Sequence, residues 1–163
     1  MVICKQQKRL YIGIDPGKQG GLVIFAPSID RLNWTEMPAT EVELWAWFAS
    51  LPKVPTFAVL EKVNSDPNFG RAASFTFGMG YGCLTMALIA AKIPFTCVQP
   101  KKWQATLNVS PRRNGEPKNK FKERLCAEAR RLFPDLSLWE EAKCHQMAVC
   151  DALLLAHYAR TNY

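Results

Sequence analysis

The stretch that decides the fold is LYIGIDPGKQGGLVIF, which covers residues 10–25. It consists of two apolar runs around a short polar loop, a pattern that predicts two antiparallel strands joined by a turn. Asp15 ends the first run, and Lys18 is the one basic residue close to it in the sequence. Because carboxylates are seldom buried unless they are paired or bind a metal, packing alone does not account for Asp15.

Two further acids are attached to apolar segments in the same way. Glu61 ends the run FAVLE, and Asp151 interrupts the helical segment MAVCDALLLA. Three carboxylates that met at one point would repel one another unless a cation neutralised them, and Mg²⁺ prefers such oxygen ligands. The two histidines, His145 and His157, form no apparent serine–histidine–aspartate set. The sequence therefore favours metal-assisted chemistry over a nucleophilic side chain.

Composition predicts one globular domain spanning residues 1–163, because 48% of the residues are apolar and the chain is long enough to bury a core. We expect no membrane span, since no uninterrupted apolar run reaches the length of one, and the first residues lack the apolar stretch of a signal peptide. The six cysteines show neither a CxxC pair nor zinc-finger spacing. We therefore expect buried, reduced thiols in an intracellular protein.

Positive charge is concentrated in residues 99–131, the basic segment, which holds ten lysines and arginines against three glutamates. Its net charge of +7 equals that of the whole chain, so the remainder is neutral overall. Such a concentration fits a phosphate backbone as partner, whereas charge alone favours an ordinary solvated helix face. Residues 108–118 combine prolines and a glycine with Arg112 and Arg113, which predicts a mobile basic loop.

The order of elements predicts a mixed sheet with helices on both faces, because strands come first and then alternate with helices. Asp15 and Glu61 stand at the carboxyl ends of their strands, so we expect their side chains to lie side by side. Gly78, Gly80 and Gly82 interrupt one helix and indicate close approach of another backbone, from protein or nucleic acid. We predict strands at 9–15, 20–25, 33–37, 56–61 and 94–98, and helices at 41–50, 71–91, 101–106, 119–133 and 144–160.

Several short motifs occur in an order that resembles the RuvC-type Holliday-junction resolvases of the ribonuclease H-like superfamily. The motifs are GIDPG at 13–17 with Gly20-Gly21, LE at 60–61, FGMGYG at 77–82, VQPKKWQ at 98–104, ARRLFP at 129–134 and DALLLA at 151–156. The middle three are most similar to the phage and organelle branch. IGIDPG alone also begins other nucleases and sugar-kinase-like folds, so the specificity lies in the ordered set, which covers nearly the whole chain.

The resemblance implies a fold, an activity and partners. The fold is an α/β, ribonuclease H-like mixed five-stranded sheet with helices on both faces. The activity is Mg²⁺-dependent endonuclease cleavage of Holliday junctions and other branched DNA by a homodimer, through paired symmetric nicks that leave 5′-phosphate and 3′-hydroxyl ends. Two Mg²⁺ ions per site, replaceable by Mn²⁺, are expected. The protein is expected in the cytoplasm or nucleoid of a bacterium or phage-infected cell, or in an organelle, and no membrane partner is expected.

The same resemblance makes three acids the expected catalytic residues and metal ligands, namely Asp15, Glu61 and Asp151. The family usually has a fourth ligand three residues before the last acid, where this chain has Ala148. His145, six residues before Asp151 and about 120° away around an ideal helix, is the expected substitute if the first helical turn is irregular. The alternative is a surface histidine at a helix start. Cys144 and Gln146 are weaker candidates.

A second set of residues is expected to bind DNA: Phe69, Arg71, Lys101, Lys102, Arg112, Arg113, Lys118, Lys120 and Lys122. Either Lys118 or Lys120 is expected near the scissile phosphate, and the sequence leaves the choice open. Phe69, beside a loop glycine, is expected either to stack on an unpaired base or to pack in the core. The tryptophans, Trp103 among them, are expected to be core or interface anchors without a part in the chemistry.

Two other functions fit the same sequence. One is a different nuclease on the same fold, such as a ribonuclease H or a flap-type nuclease. The other is a catalytically weak DNA-junction binding protein, which Ala148 at the fourth-ligand position favours.

Overall fold

The computed structural model describes residues 9–26, 31–63, 70–141 and 143–163. Its strands are β1 (Leu10–Asp15), β2 (Gly21–Ala26), β3 (Arg31–Glu36), β4 (Thr56–Glu61) and β5 (Phe95–Val98). Its helices are α1 (Glu41–Ala49), α2 (Arg71–Ala90), α3 (Pro100–Gln104), α4 (Lys118–Leu132) and α5 (Lys143–Asn162), with a 3₁₀ helix at Ser137–Glu140. Every predicted element is present, and its ends differ from the predicted ones by at most two residues.

The five strands form one sheet in the order β3-β2-β1-β4-β5. β2 is antiparallel to β1 and β3, whereas β4 is parallel to β1 and β5. The mixed five-stranded α/β sheet predicted from the sequence is therefore confirmed. Because β1 is the central strand, the residue at its carboxyl end has a neighbouring strand on each side.

Alternate residues of each strand face opposite helical layers. Ile12 and Leu60 belong to the core that the sheet shares with α1 and α2. Val59 belongs to the core shared with α3, α4 and α5. Glu61 lies two residues after Val59, and Asp15 lies three residues after Ile12. Both acids are therefore on the α4–α5 side of the sheet.

Helix α5 lies directly on β1 at Gly13. A Cβ atom at Gly13 would lie 1.9 Å from the Ala152 carbonyl oxygen and 2.3 Å from the Ala156 nitrogen, so a larger residue does not fit. The following apolar turn of α5 is fully buried against the sheet. This contact places Asp151, the residue before Ala152, over the carboxyl end of β1.

The basic loop at residues 108–117 is tied to α4. Arg124 of α4 donates two hydrogen bonds to the Glu116 carboxylate, at 3.0 and 2.8 Å, and a third to the Ser110 carbonyl oxygen at 2.8 Å. Arg112 Nε donates to the Glu116 carbonyl oxygen at 2.9 Å. A bidentate arginine–carboxylate pair restricts geometry strongly, so the loop is tethered to α4, and its mobility stays a prediction.

The cysteines differ from the expectation of reduced, buried thiols. Cys126 of α4 and Cys150 of α5 form a disulfide, with Cα atoms 5.3 Å apart. The sequence separation of 24 residues gave no sign of this pair, because only the packing of α4 on α5 brings the two together. Cys97 and Cys144 are free and exposed. Cys4 lies outside the described residues.

Helix α2 is apolar yet largely exposed. Within its 20 residues an 18-residue window has a mean hydropathy of 1.4, so by length and composition the helix passes as a possible membrane span, with 17% of that window buried. The expectation that no segment reaches this length and hydropathy is therefore wrong, because glycines and threonines interrupt the apolar residues of α2 and the segment does not read as one apolar run. α2 connects the parallel neighbours β4 and β5, and Leu84, Ala87 and Leu88 pack on the sheet. It is thus a crossover helix of the sheet with one uncovered apolar side.

Candidate active site

Asp15 and Glu61 lie side by side at the carboxyl ends of β1 and β4. The register pairs Ile14 with Leu60, so the two acids occupy the next position on adjacent parallel strands, about 4.8 Å apart between backbones. Both side chains are on the α4–α5 side. The predicted proximity of these two residues is confirmed.

The turn after Asp15 is shaped around its carboxylate. The Gly17 amide donates to Asp15 Oδ1 at 3.2 Å, and the Gly20 amide donates to the Gly17 carbonyl oxygen at 2.8 Å. A Cβ atom at Gly20 would lie 2.3 Å from the Asp15 carbonyl oxygen and 2.8 Å from its Cγ. Glycine at position 20 therefore keeps the carboxylate in place, which explains the glycine-rich turn of the sequence.

Asp151 of α5 joins the pair, and Lys122 of α4 lies between the acids. Lys122 Nζ is 3.5 Å from Asp151 Oδ2 and 3.9 Å from Asp15 Oδ2. The cation beside Asp15 is thus Lys122, which is distant in sequence, and the nearby Lys18 is exposed. Asp15, Glu61 and Asp151, from β1, β4 and α5, thus lie in one region, with the Lys122 ammonium group beside two of them.

The charge in this cluster is incompletely compensated. Burial, with the charge of Asp15 as the next cause, raises the pKa of Glu61 from 4.5 to about 7. Burial also raises the pKa of Asp151 from 3.8 to about 6, against the opposing effect of Lys122. Asp151 Oδ1 is buried and has no hydrogen-bond partner among the described residues. An additional cation would reduce the repulsion between the carboxylates and would give the unpaired Asp151 oxygen a partner.

The cluster fits a divalent cation in charge and in donor type. Its members are hard oxygen donors, and the Lys122 ammonium stands where a cation would be attracted. In the described part of the chain, however, no three histidine, cysteine, aspartate or glutamate side chains are close enough together to hold one ion. In this geometry the Lys122 ammonium group occupies the space beside Asp15 and Asp151 that a divalent cation would take.

Trp103 contacts the cluster, which its sequence did not suggest. Its indole Nε1–H donates to Glu61 Oε1 at 2.9 Å, and its side chain is fully buried. The expectation that Trp103 is only an anchor was incomplete, because it anchors the core and also touches a site residue. The sequence did carry a usable signal for this contact. α3 directly follows β5, and β5 is the neighbour of β4, so Trp103 comes near the end of β4 where Glu61 lies.

His145 is placed away from the three acids. Its Nδ1 contacts Glu36 Oε1 at the end of β3. Glu36 pairs with Gly21, and Gly21 pairs with Asp15, so Glu36 is two strands or about 10 Å from Asp15. The structure thus brings His145 to Glu36, a residue that sequence reasoning missed, and its role as a metal ligand stays a prediction.

The weaker fourth-ligand candidates are also accounted for. Cys144 is exposed. The Gln146 side chain donates to the Trp139 and Glu141 carbonyl oxygens, at 3.2 and 2.7 Å. Ala148 is buried, and its carbonyl oxygen faces Gly21.

The expected DNA-binding residues separate into distinct places. Lys118 is one helical turn before Lys122 on α4, and its charge lowers the pKa of Asp151. Lys120 instead pairs with Glu123 at 3.4 Å, so Lys118 is the lysine nearer the acids. The other described members are exposed: Arg71 at the start of α2, Lys101 and Lys102 on α3, and Arg112 and Arg113 in the tethered loop. Phe69 lies outside the described residues.

Two solved structures resemble this chain along almost its whole length. One is Thermus thermophilus RuvC in complex with a Holliday junction substrate, with a TM-score of 0.62 and 17% identity over 94% of this chain and 96% of that chain. The other is a Thermus thermophilus RuvC structure, with a TM-score of 0.52 and 17% identity over 93% and 96%. The fold is that of RuvC. No protein-family model matches the sequence, and no curated protein matches it, so the RuvC likeness rests on the fold.

Proposed function

We propose that this protein is a metal-dependent endonuclease that resolves Holliday junctions and other branched DNA. The observation that carries the proposal is the convergence of Asp15, Glu61 and Asp151 with one ammonium group and an unpartnered buried oxygen. The shared fold with a protein solved on a junction substrate supports it. The motifs that resemble the phage and organelle branch support an intracellular role in such a cell or organelle.

The proposed chemistry is hydrolysis of a phosphodiester to 5′-phosphate and 3′-hydroxyl ends. Asp15, Glu61 and Asp151 would hold two Mg²⁺ ions, or Mn²⁺ in their place. Bound divalent ions supply a nucleophilic water at neutral pH and stabilise charge on the phosphate. The chain itself holds Asp15 through the Gly17 amide. Lys122 would be a positive group for a phosphate oxygen if a cation took its place beside Asp15 and Asp151.

The basic segment supplies the proposed phosphate-binding surface. Arg124 and Glu116 hold the loop that carries Arg112 and Arg113, so ordering this loop costs less conformational entropy on binding. Lys101 and Lys102, both exposed on α3, are further proposed phosphate contacts. Such contacts position a protein on DNA without reading its sequence.

Changing Lys101, Lys102 and Arg113 to glutamine should weaken junction binding and flatten its salt dependence. Each lost phosphate contact reduces the slope of log K against log salt by about 0.9 on duplex arms. The measurement is fluorescence anisotropy across a salt series. Lys53→Gln with Lys92→Gln, which removes two exposed charges outside the basic segment, is the control and should keep the wild-type slope. An unchanged slope in the triple variant would move the DNA surface elsewhere.

The uncovered side of α2 is the proposed dimer surface. Phe75, Met79, Met86 and Ile89 are 70%, 50%, 60% and 57% exposed, a patch typical of an interface. Cβ atoms built on the three helical glycines meet nothing within 4 Å, so the described chain leaves room there for a second backbone. Two symmetric nicks need two sites, which a two-fold dimer provides.

Changing Phe75 and Met79 to glutamate should convert a dimer into a monomer, because charged groups would be buried without partners. Light scattering after gel filtration measures the mass. Val42→Glu is the control, since Val42 is 78% exposed and belongs to α1, not to α2. A wild-type protein that is monomeric at high concentration would contradict the proposal.

A catalytically weak junction-binding protein is the second candidate. Two observations favour it: the fourth-ligand position is apolar, and His145 contacts Glu36. Incubation with Mg²⁺ and a synthetic four-way junction, a matched duplex, a flap and an RNA–DNA hybrid separates the candidates. Paired nicks in the junction support a resolvase, cleavage of the hybrid or flap supports another nuclease, and binding without cleavage supports the binding protein.

A further inference from the structure

Glu61 has a neutral, immobile hydrogen-bond donor in Trp103. The indole Nε1–H donates to Glu61 Oε1 at 2.9 Å, and Trp103 is 0% exposed. An indole has one donor, no acceptor and no charge. It can therefore orient one carboxylate oxygen without neutralising the carboxylate, which leaves the negative charge available to a cation.

The position of the indole is fixed by the sheet itself. Val98 of β5 pairs with Glu61, and α3 begins two residues later at Pro100. The Thr106 hydroxyl donates to the Trp103 carbonyl oxygen at 2.7 Å. The ring packs in the core with Val59 and its neighbours. The acceptor Glu61 thus ends β4, and the donor Trp103 lies on α3, five residues after the β5 residue that pairs with Glu61.

Satisfying a buried indole does not require a carboxylate. Trp139 meets the same need by donating its Nε1–H to the Phe133 carbonyl oxygen at 2.6 Å. Buried indoles usually find some such acceptor. At Trp103 the acceptor is instead an acid beside Asp15, where burial and repulsion already disfavour a charge. Packing alone gives no reason for that choice.

We propose that Trp103 is a positioning residue that orients Glu61 for a divalent cation. The proposal rests on the metal site of the proposed function. A free glutamate side chain has several rotamers. If the ion had to select one of them, the lost conformational entropy would weaken its binding. The indole fixes it during folding, so the apo protein already presents Glu61 in one orientation. Hydrogen bonds that orient a metal ligand are typically worth 10–100-fold in metal affinity.

The test is Mn²⁺ binding to the free protein, without DNA, measured by electron paramagnetic resonance. Trp103→Phe keeps the ring and removes the N–H, and we expect Mn²⁺ to bind about 10–100-fold more weakly. Trp139→Phe removes the other indole hydrogen bond and should leave the affinity unchanged. In a Glu61→Gln background, Trp103→Phe should have no further effect. Equal Mn²⁺ affinity in folded Trp103→Phe and wild-type protein would overturn the proposal.

A second measurement needs no variant at Trp103. In wild-type protein labelled with ¹⁵N, the Trp103 indole resonance should shift on addition of Mg²⁺, whereas that of Trp139 should stay. A Trp103 resonance that is unmoved at saturating Mg²⁺ overturns the proposal. Mn²⁺ affinity that depends on Trp103, in a protein that neither binds nor cuts junctions, upholds this role and rejects the nuclease. Junction cleavage by a protein whose Mn²⁺ affinity does not depend on Trp103 upholds the nuclease and rejects the positioning role of Trp103.

Discussion

Asp15→Asn should reduce junction cleavage by about 10³-fold or more while junction binding changes only a few-fold. The carboxylate lies where β1, β4 and α5 meet, and its loss removes a donor from the proposed metal site. A bound divalent ion contributes several kcal/mol of charge stabilisation, and about 4 kcal/mol corresponds to that factor. Binding should persist because it depends on the basic segment. Single-turnover cleavage and anisotropy measure the two effects separately.

Asp135→Asn is the matched control, since Asp135 is exposed and outside the site. It should leave both the cleavage rate and junction binding at wild-type levels. Glu61→Gln and Asp151→Asn should behave like Asp15→Asn. Near-wild-type cleavage by any of the three would remove that residue from the proposed metal site.

Glu61→Gln should make the metal-free protein more stable at pH 8 than the wild type, by about 2–3 kcal/mol. Burial, then Asp15, raises the pKa of Glu61 from 4.5 to about 7, so the folded state favours the protonated form. This contribution is fully present below pH 4.5 and is lost as the pH rises to about 7. Glutamine removes the charge and still accepts the Trp103 hydrogen bond. Urea unfolding in EDTA at pH 5 and pH 8 measures the difference.

Saturating Mg²⁺ should reverse this order at pH 8, because ions that bind the folded state stabilise it. Glu140→Gln, at an exposed residue of the 3₁₀ helix, controls for a general loss of negative charge. A wild-type stability that does not fall between pH 5 and pH 8 would show that Glu61 is not held in a repulsive environment.

Local patterns were sufficient for the fold and for the three acids. Short apolar runs located β1 and β4 and put Asp15 and Glu61 at their ends, where pairing of parallel neighbours brings them together. Helical periodicity located α5, and Asp151 interrupts its apolar face. These predictions succeeded because each element depends on residues close in sequence. The register of the sheet then placed Asp15 next to Glu61.

Contacts between distant elements could not be predicted. Lys122 replaces Lys18 as the partner of Asp15, because the packing of α4 decides which lysine reaches the acids. The Cys126–Cys150 bond depends likewise on how α4 meets α5. Composition suggested a mobile basic loop, but one arginine of α4 ties it down. In each case a side chain finds its partner only after the helices have docked on the sheet.

The contact between α5 and Gly13 sets the order in which the molecule can be assembled during translation. β1 leaves the ribosome before the other four strands, while α5 follows all five strands in the sequence. Until α5 emerges, one face of the nascent sheet is uncovered and the cluster lacks Asp151. A newly made chain therefore carries an incomplete set of carboxylates, which closes only when α5 docks on β1. Contacts of such long sequence separation also make slow folding the expectation.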